Sequence, residues 1–250
     1  MENTSADHQL SNTSSSYAWM ERLFETGNYS DLILTSNGKD YPTHRAIVCS
    51  QSSVIHKKCQ FQDTNQGSSC DTCGAAPKYR FDFLDDNPQS VDCLVQYFYR
   101  RDYQSACCSH KGEQRDRASN ENSEEIQYSD DYVDDSHPVF HVRMYALAEK
   151  YDVSALKNLA VDKFNQVVQP SVLSDEFLHG VEEAYVSTIP EDRGMRDAIV
   201  KHFHAHPKLL EGERTQETFR RIHSLPYDLL MFWHKEHTSQ RPPAVSWDSF

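Results

Sequence analysis

The chain of 250 residues has few glycines, no excess of positive charge and no long apolar run. Its eight glycines are so dispersed that no two are closer than Gly67 and Gly74, which excludes a P-loop and a dinucleotide-binding glycine fingerprint. The G-x-S-x-G and H-E-x-x-H patterns of hydrolases and metalloproteases are also missing. We therefore predict that the protein is not an enzyme, with an unrecognised catalytic site as an alternative.

The charge balance is strongly acidic, with 38 Asp and Glu against 25 Lys and Arg and a net charge of -13. A negative protein releases no counterions from DNA or RNA and is repelled by anionic lipid, so we predict neither direct nucleic-acid binding nor membrane binding. Residues 1–16 lack the basic and apolar segments of a secretory signal, and the seven cysteines are an odd number. We expect reduced thiols and an intracellular protein, in the nucleus, the cytoplasm or both.

Two groups of side chains have metal-ligand spacing, yet we predict no metal and no cofactor. Cys70 and Cys73 form a C-x-x-C pair, which is half of a zinc site. A second pair at suitable spacing is not evident, and the adjacent Cys107 and Cys108 suit one tetrahedral ion poorly. The remaining nearby candidates are Cys59, Cys93 and His110. A structural zinc or a regulatory Cys70–Cys73 disulfide stays open as an alternative to ordinary loop thiols.

The second group is His202, His204 and His206, just before Pro207. His202 and His206 are four residues apart and would share one helix face, as zinc ligands can. The favoured interpretation is a helix C-terminus whose dipole stabilises imidazolium and which proline terminates.

The clearest local pattern runs from Asp31 to Ser52. Asp31–Thr35 is aliphatic and β-branched, and Asn37-Gly38 suits the two positive φ angles of a type I′ hairpin turn. A second strand would follow the turn, and Tyr41–Arg45 would lead into a helix entry at Ala46–Cys49, after which Ser50 and Ser52 could cap the next helix.

Further periodicities predict a mostly helical remainder of the chain. The predicted helices are 17–25, 52–60, 88–101, two between 140 and 168, 174–186, about 191–206, and 216–235 with an interruption near Pro226. A loop is predicted at 61–78. Residues 104–136 carry nine acidic and three basic side chains, a net charge of -6, so we predict an acidic, disordered insertion there. The tail 1–16 is expected to be disordered as well.

Five stretches together resemble the BTB/POZ family. These are Ser30-Asp31-Leu32, Tyr41–Arg45 as a tyrosine-led form of F-x-x-H-[KR], Tyr79–Phe83, Pro88–Tyr103, and Val142–Phe164 with its Y-x-L-A-x-K-Y core. The resemblance covers about residues 20–168 and is closest to compact BTB proteins of filamentous fungi, which have a helical tail.

The resemblance implies an α+β fold: a small mixed sheet covered by a helix cluster, with an all-α C-terminal extension. The expected ranges are a BTB/POZ domain at 17–168, the extension at 169–237 and a flexible tail at 238–250. It also implies a homodimeric interaction protein that serves as a substrate adaptor for a cullin-based ubiquitin ligase, with an unknown client. In the family the cullin contact uses the region after the helix at 88–101 and the helices at 140–168. A transcription-associated co-regulator without its own DNA-binding domain is the alternative.

Residues of the first helix and strand form the candidate self-association face. Its members are Trp19, Met20, Leu23, Phe24, Asp31 and Leu32. The apolar side chains on so short a helix would stay partly exposed in a monomer. The family implies architectural roles for Asp31 and His44: a hydrogen-bonded carboxylate near the subunit interface, and a histidine where the second strand meets the first helix.

Overall fold

The computed structural model describes residues 18–65, 79–105, 133–168 and 175–239. The predicted N-terminal tail, Cys70, Cys73, Cys107, Cys108, His110 and nearly all of the acidic insertion lie outside these ranges. Within them, no helix has both the length and the apolar character needed to cross a bilayer.

Helices dominate the described chain, and they surround one small sheet. The helices are α1 (Ala18–Thr26), α2 (Arg45–Val48), α3 (Ser53–Asn65), α4 (Pro88–Arg100), α5 (Pro138–Lys150), α6 (Ser154–Val167), α7 (Asp175–Ser187), α8 (Arg193–Ala205), α9 (Glu213–Arg221) and α10 (Ser224–Ser239), with a 3₁₀ turn at Pro207–Glu211. The strands are β1 (Leu32–Ser36), β2 (Lys39–Thr43) and β3 (Tyr79–Phe83). The architecture confirms the predicted α+β class.

The three strands form a mixed sheet in the order β2-β1-β3. β1 pairs antiparallel with β2, with Leu34 opposite Tyr41, and parallel with β3, with Leu34 beside Phe81. Asn37 and Gly38 have φ values of 46° and 78°, so the predicted two-residue hairpin turn is confirmed. Because β1 is the central strand, both of its backbone edges are already hydrogen-bonded.

Local signals explain where several helices begin. Pro88 occupies the first turn of α4, and the Asn87 side chain accepts a hydrogen bond from the Ser90 N–H at 3.1 Å. Ser52 caps α3 by accepting from the Ile55 N–H at 3.2 Å, whereas Ser50 donates to the Ile47 carbonyl instead. The predicted cap is therefore Ser52 and not Ser50.

Two predicted boundaries are wrong. The helix expected to end near residue 60 continues to Asn65, so Phe61–Asn65 is helical and not loop, although this segment carries no apolar stripe. The interruption expected near Pro226 lies at residues 222–223. Pro226 instead stands in the first turn of α10, where a missing N–H costs no hydrogen bond.

The chain divides into two compact units. Within the described ranges, the first contains residues 18–135 and 147–159, and the second contains 136–146 and 160–239. Leu32, Leu34, Phe83 and Phe98 are buried in the core of the first unit. The division does not follow the predicted domain boundary at residue 168, and that family-based boundary stays a prediction.

The second unit has an aromatic core of its own. Phe177 on α7 lies against Phe164 and Phe203, with ring centroids 6.4 Å and 5.4 Å away, and Phe203 meets Phe219 edge to face. A buried Arg196 guanidinium donates to the hydroxyl and the carbonyl of Thr188. These contacts give the second unit a packed interior of its own.

Candidate interaction site

His44 lies at the junction of β2 and α2 and is buried. Its Nδ1 is 2.8 Å from the Tyr99 hydroxyl, its Nε2 is 2.7 Å from the Asn28 carbonyl, and its main-chain N–H donates to the Tyr99 hydroxyl at 3.0 Å. Both ring nitrogens are thus engaged in joining α4 to the segment before β1. A side chain held in this way is architectural, because it has no nitrogen left for chemistry.

Asp31 stands just before β1 and is half-buried. Its carboxylate accepts a hydrogen bond from the Arg45 N–H at 2.8 Å, at the first residue of α2. This contact satisfies one of the free N–H groups at the helix start and connects it to the sheet. The Asp31 carbonyl also accepts from the Tyr79 N–H at 3.0 Å.

The members of the candidate self-association face differ in exposure. Met20 and Leu32 are buried, at 5% and 0%. Phe24 is half-buried and stacks on Tyr99 with ring centroids 4.9 Å apart. Trp19 is 55% exposed. The part of this face available to another molecule therefore centres on Trp19, flanked by the half-buried Leu23 and Phe24.

A cleft of about 490 Å³ opens in the first unit. It lies among the α2–α3 connection, the C-terminal end of α4 and the start of α6. Its lining residues are Cys49, Ser50, Gln51, Ser53, His56, Tyr97, Arg101, Asp152, Val153, Ser154 and Ala155. This surface is both polar and apolar, as protein interfaces are, because hydroxyls, one guanidinium and one carboxylate lie beside aliphatic groups.

Hydrogen bonds hold the walls of the cleft together. The Gln51 amide donates to the Phe98 carbonyl at 2.9 Å and accepts from the Arg101 guanidinium at 2.6 Å. The Ser52 hydroxyl donates to the Tyr151 carbonyl at 2.7 Å. The α2–α3 connection is thus fixed both to α4 and to the turn before α6, so the cleft is preformed.

Two non-glycine residues bordering the cleft have left-handed backbones. Arg101, at the C-terminal cap of α4, has φ 59°, and Asp152, before α6, has φ 54°. Such conformations are uncommon outside glycine, and at the end of α4 the Arg101 main-chain N–H donates to the Tyr97 carbonyl at 3.0 Å, which closes the last turn of the helix. The Asp152 carboxylate accepts a hydrogen bond from the Ser53 hydroxyl across the cleft. This geometry directs the Arg101 and Asp152 side chains toward the same cleft.

Two thiols meet beside this cleft. The Cys49 and Cys59 sulfurs are 3.8 Å apart; Cys49 is half-buried and Cys59 is buried. Burial is the largest cause that raises the pKa of Cys49, to about 12, and it also raises the pKa of Cys59. The Arg45 guanidinium opposes both increases.

Among the three histidines near the end of α8, His202 differs from the expectation of an imidazolium stabilised by the helix C-terminus. The His202 ring lies against Phe177 with centroids 4.7 Å apart and faces His206 at 4.8 Å. Burial, followed by repulsion from His206, lowers the pKa of His202 to about 4. Dipole-stabilised imidazolium at His202 is therefore wrong, because desolvation outweighs the helix C-terminus.

Metal ligation finds no support in the described part of the chain. Over residues 18–65, 79–105, 133–168 and 175–239, no three His, Cys, Asp or Glu side chains come close enough to hold an ion. The predicted Cys70–Cys73 alternative falls outside these ranges.

Comparison with protein families gives one match. The model of the BTB/POZ domain family matches residues 20–114, which contain most of α1, the whole sheet and α4. The chain contains a BTB/POZ domain. This match confirms the family resemblance over its first part. It ends before Val142–Phe164, so the resemblance of that segment, and the fungal subgroup, stay predictions.

No curated protein matches the chain. The BTB/POZ domain is nonetheless a protein–protein interaction module, and domains of this family generally self-associate and bind partners such as cullins. The cleft and the thiol pair were not predicted from the sequence. Cys49 and Cys59 are ten residues apart, and only the turn between α2 and α3 brings them together.

Proposed function

We propose that this BTB/POZ protein is an adaptor that self-associates through α1 and binds a cullin scaffold at the cleft. The observation that carries the proposal is the position of the cleft within an interaction domain. Its walls include the end of α4 and the start of α6. The start of α6 belongs to one of the helices that the family resemblance implies for cullin contact, and the end of α4 adjoins the region after 88–101 that it also implies.

The chemistry of the cleft supports a polypeptide ligand. A partner helix could place apolar side chains against Val153 and Ala155 while its polar groups meet Arg101 and Asp152. Preformed walls lower the entropy cost of association, since little must be ordered on binding. Acidic and basic groups within one cleft also favour a partner that presents both signs of charge, as a protein does.

Self-association is supported by the exposure of Trp19. An indole that is more than half exposed on a nine-residue helix offers a large apolar contact area at low entropy cost. The adjacent side chains Leu23 and Phe24 are only half-buried, so they extend the same apolar surface.

Binding of the purified full chain to a purified cullin, measured by calorimetry, tests the proposal. Arg101→Glu reverses the charge in the cleft, and Ala155→Arg adds bulk at its edge. Lys58→Glu makes the same charge change on an exposed residue of α3 that does not line the cleft. Circular dichroism would verify that all three variants stay folded.

We expect both cleft variants to weaken cullin binding by at least about tenfold, and Lys58→Glu to leave it within about twofold. Equal affinities of all three variants for the cullin would overturn the proposal that it binds at the cleft. Absence of binding by the natural chain would overturn the cullin partner and favour the co-regulator function. Repeating the measurement after deletion of 104–136 determines whether the acidic insertion obstructs the site.

A client must then bind elsewhere, and we propose the second unit for that role. Val186 at the end of α7, Ile189 just after it, and Tyr227 and Leu230 on α10 are exposed apolar side chains. Exposed apolar residues of this size are typical of contact surfaces when they lie close together. The intracellular location in nucleus or cytoplasm is part of the same proposal, because cullin ligases act there.

A further inference from the structure

The Cys49–Cys59 pair is a place where oxidation chemistry can occur, independently of what the cleft binds. The sulfurs are 3.8 Å apart, close to van der Waals contact and about 1.8 Å more than a disulfide bond requires. Cys49 follows α2 directly and Cys59 lies inside α3.

The two thiols differ in their access to solvent. Cys49 lines the cleft, whereas Cys59 is 1% exposed and does not. A dissolved oxidant that enters the cleft therefore reaches Cys49 first, and Cys59 lies behind it as the resolving thiol. This is the arrangement of an attacking cysteine backed by a resolving cysteine.

Burial is the largest influence on the pKa of both thiols, and nearby charged side chains act in addition to it. The Arg45 guanidinium favours the thiolate of both cysteines, while Asp31 opposes it at both and Asp63 opposes it at Cys59. Burial raises the pKa of both thiols further. Because only the thiolate attacks a disulfide, burial slows the reaction of both thiols, and what favours a bond between them is the 3.8 Å separation of their sulfurs.

We propose that Cys49 and Cys59 form a reversible disulfide when the protein meets glutathione disulfide. Cys49 loses its proton to solvent, and its thiolate attacks one sulfur of glutathione disulfide, forming a mixed disulfide and releasing one glutathione thiolate, which takes up a proton. Cys59 then loses its proton to solvent, and its thiolate attacks the Cys49 sulfur. That attack breaks the bond to glutathione and releases a second glutathione thiolate, which also takes up a proton. Two protein thiols are oxidised and one glutathione disulfide is reduced to two thiols.

Formation of a bond between the two sulfurs would move residues that border the cleft. Cys59 is held within a 13-residue helix, whereas Cys49 is the cap residue at the start of the α2–α3 connection. Closure of the sulfur–sulfur gap therefore displaces Cys49 more than Cys59. Because Gln51 and Ser52 of the same connection are bonded to α4 and to Tyr151, the disulfide alters the edge of the cleft.

Peptide mapping of the full chain tests the inference. The reduced protein is incubated with glutathione disulfide, its remaining thiols are alkylated, and it is digested with trypsin without reduction. Lys57 and Lys58 lie between the two cysteines, so trypsin separates them and the disulfide appears as two cross-linked peptides. We expect this cross-link, a loss of about 2 Da relative to the reduced pair, and its disappearance on adding dithiothreitol.

Three variants distinguish the roles of the thiols. Cys59→Ser should trap one glutathione on Cys49, because the resolving thiol is gone. Cys49→Ser should leave Cys59 unmodified, because it is buried. Cys93→Ala, which removes another buried thiol, one that donates to the Gln104 carbonyl, should leave the cross-link intact. If Cys59→Ser does not fold by circular dichroism, Cys59→Ala replaces it.

Three results would overturn the inference. One is cross-linking of Cys49 or Cys59 to a different cysteine of the natural chain. Another is that both thiols remain free while other cysteines are oxidised. The third is glutathione on Cys59 in the Cys49→Ser variant, which would refute the order of attack.

Discussion

The hydroxyl of Tyr99 on α4 lies 2.8 Å from Nδ1 of His44 and accepts a hydrogen bond from the His44 main-chain N–H at 3.0 Å. The Asn28 carbonyl, 2.7 Å from Nε2, can only accept, so in the neutral imidazole Nε2 carries the proton and Nδ1 accepts from Tyr99. One hydroxyl thus serves both as donor and as acceptor at a buried junction. The residue that best identifies the family motif is therefore a hydrogen-bonded link between α4 and the sheet.

Replacing Tyr99 by Phe should destabilise the first unit. The change leaves the buried His44 N–H and Nδ1 without their partner while keeping the ring that stacks on Phe24. We expect a loss of about 1 to 3 kcal/mol in the free energy of unfolding, measured by urea denaturation. Tyr29→Phe is the matched control, since Tyr29 is 91% exposed, and it should change stability by less than about 0.5 kcal/mol. Equal effects of the two changes would contradict the role of the hydroxyl.

Much of the first unit could be predicted because its signals are local. Asn37-Gly38 favours one turn type, Pro88 favours a first helical turn, and the residues of β3 alternate with period two. The end of α3 could not be predicted, since Phe61–Asn65 has no apolar periodicity and an exposed helix face needs none.

For the candidate self-association face, the sequence predicts the residues but not which of them are exposed. The sequence identifies Met20 and Leu32 as large apolar residues near Trp19, but it does not tell which side of α1 or β1 faces the core. The structure buries Met20 and Leu32 and leaves Trp19 exposed. Similarly, the cleft depends on the approach of residues far apart in the chain, such as Gln51 and Phe98, for which no local pattern exists.

Trp19→Asp should weaken self-association of the full chain. It removes the most exposed aromatic residue of α1 and places a charge on the proposed contact, where it would be desolvated. We expect the dissociation constant of the dimer to rise by at least about 30-fold, as for a central interface aromatic residue. Multi-angle light scattering at micromolar concentration should then show a mass near the 28.9 kDa of one chain.

Leu84→Asp provides the control for this experiment. Leu84 is 86% exposed in the first unit but lies outside α1, so its replacement should leave the dimer intact. A natural chain that is monomeric across the same concentrations would refute self-association altogether.

Gly194→Ala should destabilise the second unit even though alanine is the better helix former. A methyl group at Gly194 would overlap with the Tyr145 hydroxyl, which donates to Asp192, and Tyr145 is only 2% exposed. We expect the free energy of unfolding, measured by thermal or urea denaturation, to fall by about 1 to 3 kcal/mol, because the tyrosine must leave its position.

The double variant Gly194→Ala, Tyr145→Phe distinguishes this clash from a simple backbone effect. Removing the hydroxyl relieves the overlap, so the double variant should lose less stability than the two single variants added together. Additivity within about 0.5 kcal/mol would show that Gly194 and Tyr145 do not interact.

The burial of His202 should make the second unit sensitive to mild acid. Its pKa is lowered to about 4 in the folded chain, whereas an unfolded histidine has its ordinary value near 6.5. Above pH 6.5 both states are neutral, and the favourable packing on Phe177 is fully retained. Between pH 6.5 and 4 the unfolded state binds a proton that the folded state does not, so stability falls as the pH falls.

Across that window His202 should lower the free energy of unfolding by on the order of 1 to 3 kcal/mol, in addition to the loss caused by protonation of the carboxylates. Urea denaturation of the natural chain, His202→Phe and His223→Gln at a series of pH values measures it. His202→Phe keeps an aromatic ring against Phe177 but cannot be protonated, so its stability should depend less on pH in this window. His223 is exposed, so His223→Gln should behave like the natural chain. If His202→Phe keeps the full pH dependence, the acid sensitivity has another origin, because the only group altered is the imidazole that burial keeps neutral.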